Sequence, residues 1–98
     1  MKEIEKKMVA ALRNGTNFNG NNTQVECQPN GNSFVHLFGN TIYKVVNGKA
    51  YFSLAGWNTV TTRSRLNALG VNVNQRKGTP HYNGKSIHDF QGFFPVEH

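Results

Sequence analysis

The chain has 98 residues, of which 37% are hydrophobic and 11% aromatic, and its formal net charge is +6. This composition excludes a disordered chain and favours a single domain over residues 1–98, because the apolar side chains are numerous enough to form one core. A lone cysteine, Cys27, excludes an internal disulfide, and no apolar run approaches the roughly 18 residues of a membrane span.

The first predicted element is an amphipathic helix over residues 2–13. Ile4, Met8 and Leu12 recur at the spacing of one helical face. Asn14-Gly15 can adopt the left-handed conformation that ends a helix, and the asparagine-rich residues 16–22 predict a loop. No apolar core of a signal peptide follows the N-terminal lysines, so we expect a cytoplasmic protein without a membrane partner.

An antiparallel meander follows, with strands predicted at 24–28, 33–38, 41–46 and 49–55. Asn47-Gly48 is a strong signal for a type I′ hairpin turn, and a two-residue loop there pairs Lys44 with Tyr51. Paired residues on either side of a two-residue turn share a sheet face. With a turn at Gly39-Asn40 as well, further side chains are predicted to lie on the same face as Lys44 and Tyr51. That set comprises Val35, Leu37, Ile42 and Lys49, and the other face then carries Phe34, His36, Phe38, Tyr43 and Phe52.

A short second helix is predicted at 62–69, with Thr61 as its N-cap and Gly70 as its left-handed stop. A C-terminal β-hairpin follows, with strands at 71–76 and 79–82, and the aromatic residues 90–96 predict an apolar flap. The predicted fold class is therefore α+β: an N-terminal helix, an antiparallel β-meander, a short second helix and a C-terminal β-hairpin.

The distribution of charge is more informative than its sum. Between Cys27 and His88 the sequence contains seven lysine or arginine residues and no aspartate or glutamate. Such a segment favours an anionic partner, because unopposed positive charges attract phosphates, although a basic and merely soluble protein is the alternative. The seven cations are Lys44, Lys49, Arg63, Arg65, Arg76, Lys77 and Lys85.

Aromatic side chains interleave with these cations, a pattern that suits stacking on bases with phosphate contacts alongside. Hydroxyl side chains at the start of the second helix also favour binding of an anion there. One alternative is that they form an ordinary helix cap, and another is that the site binds a small signalling nucleotide. The predicted nucleic-acid or anion-binding residues are Lys44, Lys49, Tyr51, Trp57, Thr61, Thr62, Arg63, Arg65, Arg76, Lys77, Tyr82 and Lys85.

Catalytic and metal chemistry lacks support in the sequence. The histidines His36, His81, His88 and His98 are scattered, no pair of ligands has metal spacing, and no carboxylates are paired for acid–base work. We therefore predict a non-enzymatic protein with no catalytic residues, no metal site and no cofactor.

Several segments resemble a group of short, uncharacterised proteins of tailed bacteriophages. They are Ile4-Glu5-Lys6-Lys7-Met8, Asn22-Thr23-Gln24-Val25, His36-Leu37-Phe38-Gly39-Asn40 and a GWNTVTTRSRLNALG-type segment at 56–70. The resemblance implies a phage accessory protein in the host bacterial cytoplasm. We predict that it binds nucleic acid, RNA or DNA. The alternative is an anti-defence, anti-CRISPR-type inhibitor that docks on a host immune complex through Val35, Leu37, Ile42 and Phe93-Phe94.

Overall fold

The computed structural model describes residues 1–97 and confirms the predicted α+β class. His98, one of the histidines considered above, lies outside the described residues. The elements in chain order are α1 (Glu3–Asn14), β1 (Phe18–Asn19), β2 (Thr23–Cys27), β3 (Ser33–Leu37), β4 (Asn40–Val46), β5 (Lys49–Phe52), α2 (Val60–Ala68), β6 (Val73–Arg76), β7 (Thr79–Tyr82), β8 (Lys85–Ser86) and β9 (Phe94–Pro95).

The strands form two antiparallel sheets. The larger has six strands in the order β1-β2-β3-β4-β5-β9, and the smaller has three in the order β6-β7-β8. The predicted apolar flap is in part a strand, because β9 returns to pair with β5, with Tyr51 opposite Pro95 and Phe52 opposite Phe94. After the last hairpin the sequence predicts a further turn at Asn83-Gly84 toward residues 85–87, and a third short strand, β8, pairs with β7 there.

The register predicted between β4 and β5 is confirmed. Lys44 pairs with Tyr51 and Val46 with Lys49, on either side of the Asn47-Gly48 turn. Asn47 and Gly48 have φ values of 54° and 78°. A type I′ turn requires a positive φ at both central residues, which asparagine and glycine tolerate best.

The faces predicted for β3 are wrong by one residue. The chain turns at Phe38-Gly39 instead of Gly39-Asn40, and a bulge interrupts the β3–β4 pairing next to Val35. Val35 therefore lies opposite Tyr43, while Phe34 lies opposite Lys44. Because side chains alternate along a strand, this slip exchanges the two faces. As a result, three residues predicted to lie beside Lys44 are buried: Val35, Leu37 and Ile42.

The core lies between the inner face of the larger sheet and the two helices. Met8 of α1 and Leu66 of α2 are fully buried against it, together with Phe52 of β5. The rings of Phe52 and Tyr82 lie with centroids 4.7 Å apart, so the smaller sheet packs on the same core. The opposite, outer face of the larger sheet remains partly open to solvent, since its strand residues are half-buried or exposed.

Helix α2 begins two residues earlier than predicted, because Thr59 and not Thr61 is its N-cap. The Thr59 hydroxyl accepts a hydrogen bond of 3.1 Å from the Thr62 backbone N–H. The predicted stop is confirmed: Gly70 has a φ of 89°, and the Val71 N–H donates to the Leu66 carbonyl at 2.9 Å. These bonds satisfy backbone groups that a helix end leaves without partners.

The cap gives a first testable prediction. Replacing Thr59 by alanine removes the side-chain acceptor, and we expect the free energy of unfolding to fall by about 1 kcal/mol. Thr61→Ala is the matched control on the same helical turn, with an expected change within about 0.5 kcal/mol. Urea denaturation followed by circular dichroism measures both, and a larger loss at Thr61 contradicts the assignment.

Candidate functional site

The structure removes three of the predicted contact residues from the surface. Arg65, Thr62 and Tyr82 retain 4%, 2% and 9% of their accessible surface. The Arg65 guanidinium lies 2.9 Å from the Glu5 carboxylate and donates to the Thr23 hydroxyl at 3.0 Å. Its donors therefore bind within the fold, and the predicted anion contact is replaced by an internal ion pair.

The other two buried side chains also have internal partners. The Tyr82 hydroxyl accepts a hydrogen bond of 2.7 Å from the Glu97 N–H, and its ring packs on Phe52. The Thr62 hydroxyl lies 2.9 Å from the Thr59 hydroxyl at the start of α2. Neither Tyr82 nor Thr62 is placed to contact a base or a phosphate, so their roles are structural.

The outer face of the larger sheet carries a continuous cross-strand row. Adjacent strands place Phe34 opposite Lys44 and Lys44 opposite Tyr51. The Lys44 ammonium lies 5.8 Å from the centroid of the Tyr51 ring and 4.0 Å from that of Phe93. Both contacts fall within the range of cation–π attraction, which fixes a positive charge among aromatic rings.

His36 extends this row along β3. Its ring is stacked on that of Phe34, with centroids 6.4 Å apart and planes inclined by 6°. The imidazole Nδ1 lies 2.9 Å from the Thr41 hydroxyl, and Nε2 lies 3.4 Å from a Glu26 carboxylate oxygen. We call this surface the outer aromatic face; it comprises Phe34, His36, Lys44, Tyr51 and Phe93.

Sequence reasoning identified two members of the outer aromatic face, Lys44 and Tyr51, and missed the other three. Phe34 and His36 were predicted on the opposite face because of the register error in β3. Phe93 was placed in an apolar flap without a contact to Lys44. The alternation of Phe34 and His36 with the apolar Val35 and Leu37 contained the necessary signal.

The remaining predicted cations lie at separate hairpin turns. Lys49 follows the β4–β5 turn, close to the outer aromatic face in sequence. Arg76 and Lys77 lie at the β6–β7 turn, and Lys85 lies after the β7–β8 turn, at the other end of β7. Four strand residues span roughly 10 Å. These cations therefore lie at three different hairpin turns, with Arg76 and Lys77 at one end of β7 and Lys85 at the other.

Few of these charges are neutralised by carboxylates. Within residues 1–97 the ion pairs are Lys6–Glu3, His36–Glu26 and Arg65–Glu5. Of the seven cations between Cys27 and His88, only Arg65 belongs to a pair in this described part. Six of these seven cations therefore have no carboxylate partner within residues 1–97.

A pocket of about 450 Å³ lies where the β3–β4 turn meets the loop before α2. Its wall includes Phe38 and Trp57, which are 70% and 64% exposed. The side chain of Asn58, the residue after Trp57, accepts a hydrogen bond from Arg63 at Oδ1 and donates from Nδ2 to the Gln75 side chain at 3.0 Å. We call this the Trp57 pocket; it is lined by Leu37, Phe38, Asn40, Ile42, Leu54, Ala55, Trp57, Thr59, Thr61 and Thr62.

Residues 1–97 contain no group of three or more potential metal-binding side chains. None of the helices described in that range is long and apolar enough to cross a bilayer.

Comparison with known proteins gives a single result. The family model described as Kyanoviridae Gp96 protein matches residues 1–94, which is nearly the whole chain. Searches of curated proteins and of solved structures gave no match.

Proposed function

The chain belongs to the Kyanoviridae Gp96 family of phage proteins, and from this premise we propose that it is a non-catalytic accessory protein that binds single-stranded nucleic acid. The proposed surface is the outer aromatic face. The observation that carries the proposal is the cross-strand row in which Lys44 lies between aromatic rings on an open sheet. The protein would act in the host cytoplasm, where phage and host nucleic acids are both accessible.

Stacking explains why a single strand is the expected ligand. Unpaired bases expose flat faces that lie on aromatic side chains, whereas the faces of paired bases are hidden within a duplex. On the outer aromatic face, Phe34 and Tyr51 offer rings on either side of Lys44 in adjacent strands. A base could lie on each ring, with the intervening phosphate near the Lys44 ammonium.

The net charge of +6 supports the same partner. Lys49 is the first residue of β5, the strand that contains Tyr51. The cations at the β6–β7 and β7–β8 turns add to the long-range electrostatic attraction of phosphates. Phosphate contacts release condensed counterions, so binding of this kind weakens as salt is added.

Fluorescence anisotropy with a labelled oligonucleotide tests the proposal directly. We expect single-stranded RNA or DNA to bind more tightly than a duplex of the same sequence. If about three phosphates are contacted, raising the salt from about 50 to about 200 mM should weaken binding about 20-fold. Absence of binding at the lower salt, or a preference for duplex, contradicts the proposal.

The anti-defence alternative loses three of the five residues predicted for its surface and keeps Phe93-Phe94, of which Phe93 is exposed. Three residues of its expected hot spot, Val35, Leu37 and Ile42, are buried in the core. A pull-down from nuclease-treated host lysate distinguishes the two functions. Recovery of one host protein in a stoichiometric amount, with no oligonucleotide binding in the anisotropy assay, would favour the inhibitor.

A further inference from the structure

The Trp57 pocket has the form of a ligand site and is separate from the outer aromatic face. Its volume of about 450 Å³ falls within the range of about 300–1,000 Å³ that is usual for small-molecule sites. Its floor is apolar and includes Leu37, Ile42 and Leu54, all of which are buried. None of the side chains that line it is ionisable at neutral pH.

The backbone at Phe38 points to a use for this ring beyond folding. Phe38 has a φ of 50°, in the left-handed region that bulky side chains rarely occupy. Its side chain is 70% exposed, so packing offsets little of the conformational cost. Such strain commonly occurs at binding sites, where the surrounding structure maintains it. Asparagine or glycine would fit the turn better, as Asn47-Gly48 shows in the next hairpin.

The lining defines the chemistry of the ligand. Two exposed aromatic rings, those of Phe38 and Trp57, favour a flat partner. The hydroxyls of Thr59 and Thr61 and the amide of Asn40 offer hydrogen bonds to a polar edge. The absence of ionisable side chains from the lining favours a neutral group. A flat, neutral ring with a polar edge describes a nucleobase.

We propose that the Trp57 pocket binds one unstacked nucleobase against the rings of Phe38 and Trp57. The proposal rests on the proposed function, and the position of the pocket agrees with it. The pocket adjoins the end of β3, since Leu37 and Phe38 line it and follow directly after His36 of the outer aromatic face. Arg63 of α2 donates a hydrogen bond to the side chain of Asn58, the residue that follows Trp57.

Trp57 is the sole tryptophan of the chain and therefore reports on its own pocket. Nucleoside monophosphates added to the intact protein should quench the Trp57 fluorescence in a saturable manner. Ribose 5-phosphate carries the same phosphate without a base and should leave the fluorescence unchanged. Equal quenching by both compounds would show a phosphate site instead, and no saturable quenching would exclude a base pocket.

Phe38→Asn tests the role of the ring without endangering the fold. Asparagine suits the left-handed conformation, so the melting temperature should stay the same or rise. Nucleotide affinity should fall about tenfold or more, because a stacking partner is lost. Phe38→Tyr keeps the ring and should keep the affinity. Unchanged quenching in Phe38→Asn contradicts the proposal.

The outcomes separate the pocket from the outer aromatic face. Tyr51→Ala should weaken oligonucleotide binding and leave the mononucleotide titration unaltered. If oligonucleotides fail to bind while mononucleotides quench Trp57, the proposed function fails and the pocket stands. If oligonucleotides bind but mononucleotides have no effect, the pocket proposal fails alone. Quenching by an apolar dye without any response to nucleotides also overturns it, and would indicate a protein-docking surface.

Discussion

Replacing Arg65 by alanine should lower the free energy of unfolding by about 3–5 kcal/mol, because it leaves the buried Glu5 carboxylate without its counterion. Both side chains retain 4% of their accessible surface, and the nitrogen–oxygen distance between them is 2.9 Å. Arg65 also donates to the Thr23 hydroxyl at 3.0 Å and to the Asn22 side chain at 3.3 Å. One substitution therefore disrupts contacts among α1, α2 and the start of β2.

Arg63→Ala provides the matched control on the same helix. Arg63 is half-buried and bonds to the side chain of Asn58, outside the core. Its loss should cost no more than about 1 kcal/mol. Urea denaturation of the two variants measures the difference, and equal losses would show that the Arg65 network adds nothing beyond an ordinary surface contact.

The same network predicts how stability depends on pH. Burial alone raises the pKa of Glu5, but hydrogen bonds from Ser64, the Lys2 backbone and Arg65 outweigh it and hold the pKa below its ordinary value of 4.5. The unfolded chain therefore takes up a proton at higher pH than the folded one. This contribution to stability is present above pH 4.5 and is lost as the pH falls through the folded-state pKa.

Denaturation series across the acidic range should show this loss in the wild type. Glu5→Gln removes the titrating group, so its stability should fall less steeply with acid, from a lower starting value. Glu3→Gln is the control on the same helix. Glu3 is exposed, and its ion pair with Lys6, at 3.9 Å, lies on the surface. An acid dependence that is the same in Glu5→Gln as in the wild type would assign the effect to another group.

Replacing Phe34 and Tyr51 together by alanine should weaken single-strand binding by at least about 30-fold, since each stacked base contributes about 1–3 kcal/mol. Both rings lie in the cross-strand row and neither is fully buried, so they can contact a ligand without rearrangement of the sheet. The salt dependence should change little, because the double substitution removes no cation.

An exchange of the two rings supplies the control. Phe34→Tyr with Tyr51→Phe keeps both stacking surfaces and should bind within about threefold of the wild type. Val60→Ala removes an apolar side chain that is 71% exposed and not part of the outer aromatic face, and should have no effect. Anisotropy titrations on variants with native circular dichroism decide the matter. Wild-type affinity in the double alanine variant would place the binding surface elsewhere.

Local signals in the sequence were enough to predict both helices, the longer strands and one of the registers, but not the two-residue strands β1, within the predicted loop at 16–22, and β9. Asn47-Gly48 fixed the β4–β5 pairing because its residue types select one turn geometry. Phe38 could not be read in this way, since a phenylalanine rarely occupies the left-handed position of a turn. For this reason the turn was predicted one residue too late. The bulge beside Val35 is a second irregularity, and no local sequence pattern predicts it.

The candidate site was predicted only in part, for reasons of long-range pairing. Arg65 resembled a surface cation because its partner, Glu5, lies sixty residues away in the sequence. Tyr82 looked available for stacking because the sequence does not show that β7 packs against Phe52. Lys44 and Tyr51 were placed correctly on one face, since the turn that joins them lies only a few residues away.

The larger sheet ends at both sides in strands of two residues, β1 and β9. Outermost strands this short expose few unpaired N–H and C=O groups, and Pro95 in β9 has no N–H to offer. A neighbouring copy would thus find little backbone on which to add a strand. Without the residues of β9, the longer β5 would become the edge strand, so this brief segment at 94–95 also protects the protein from self-assembly into extended sheets.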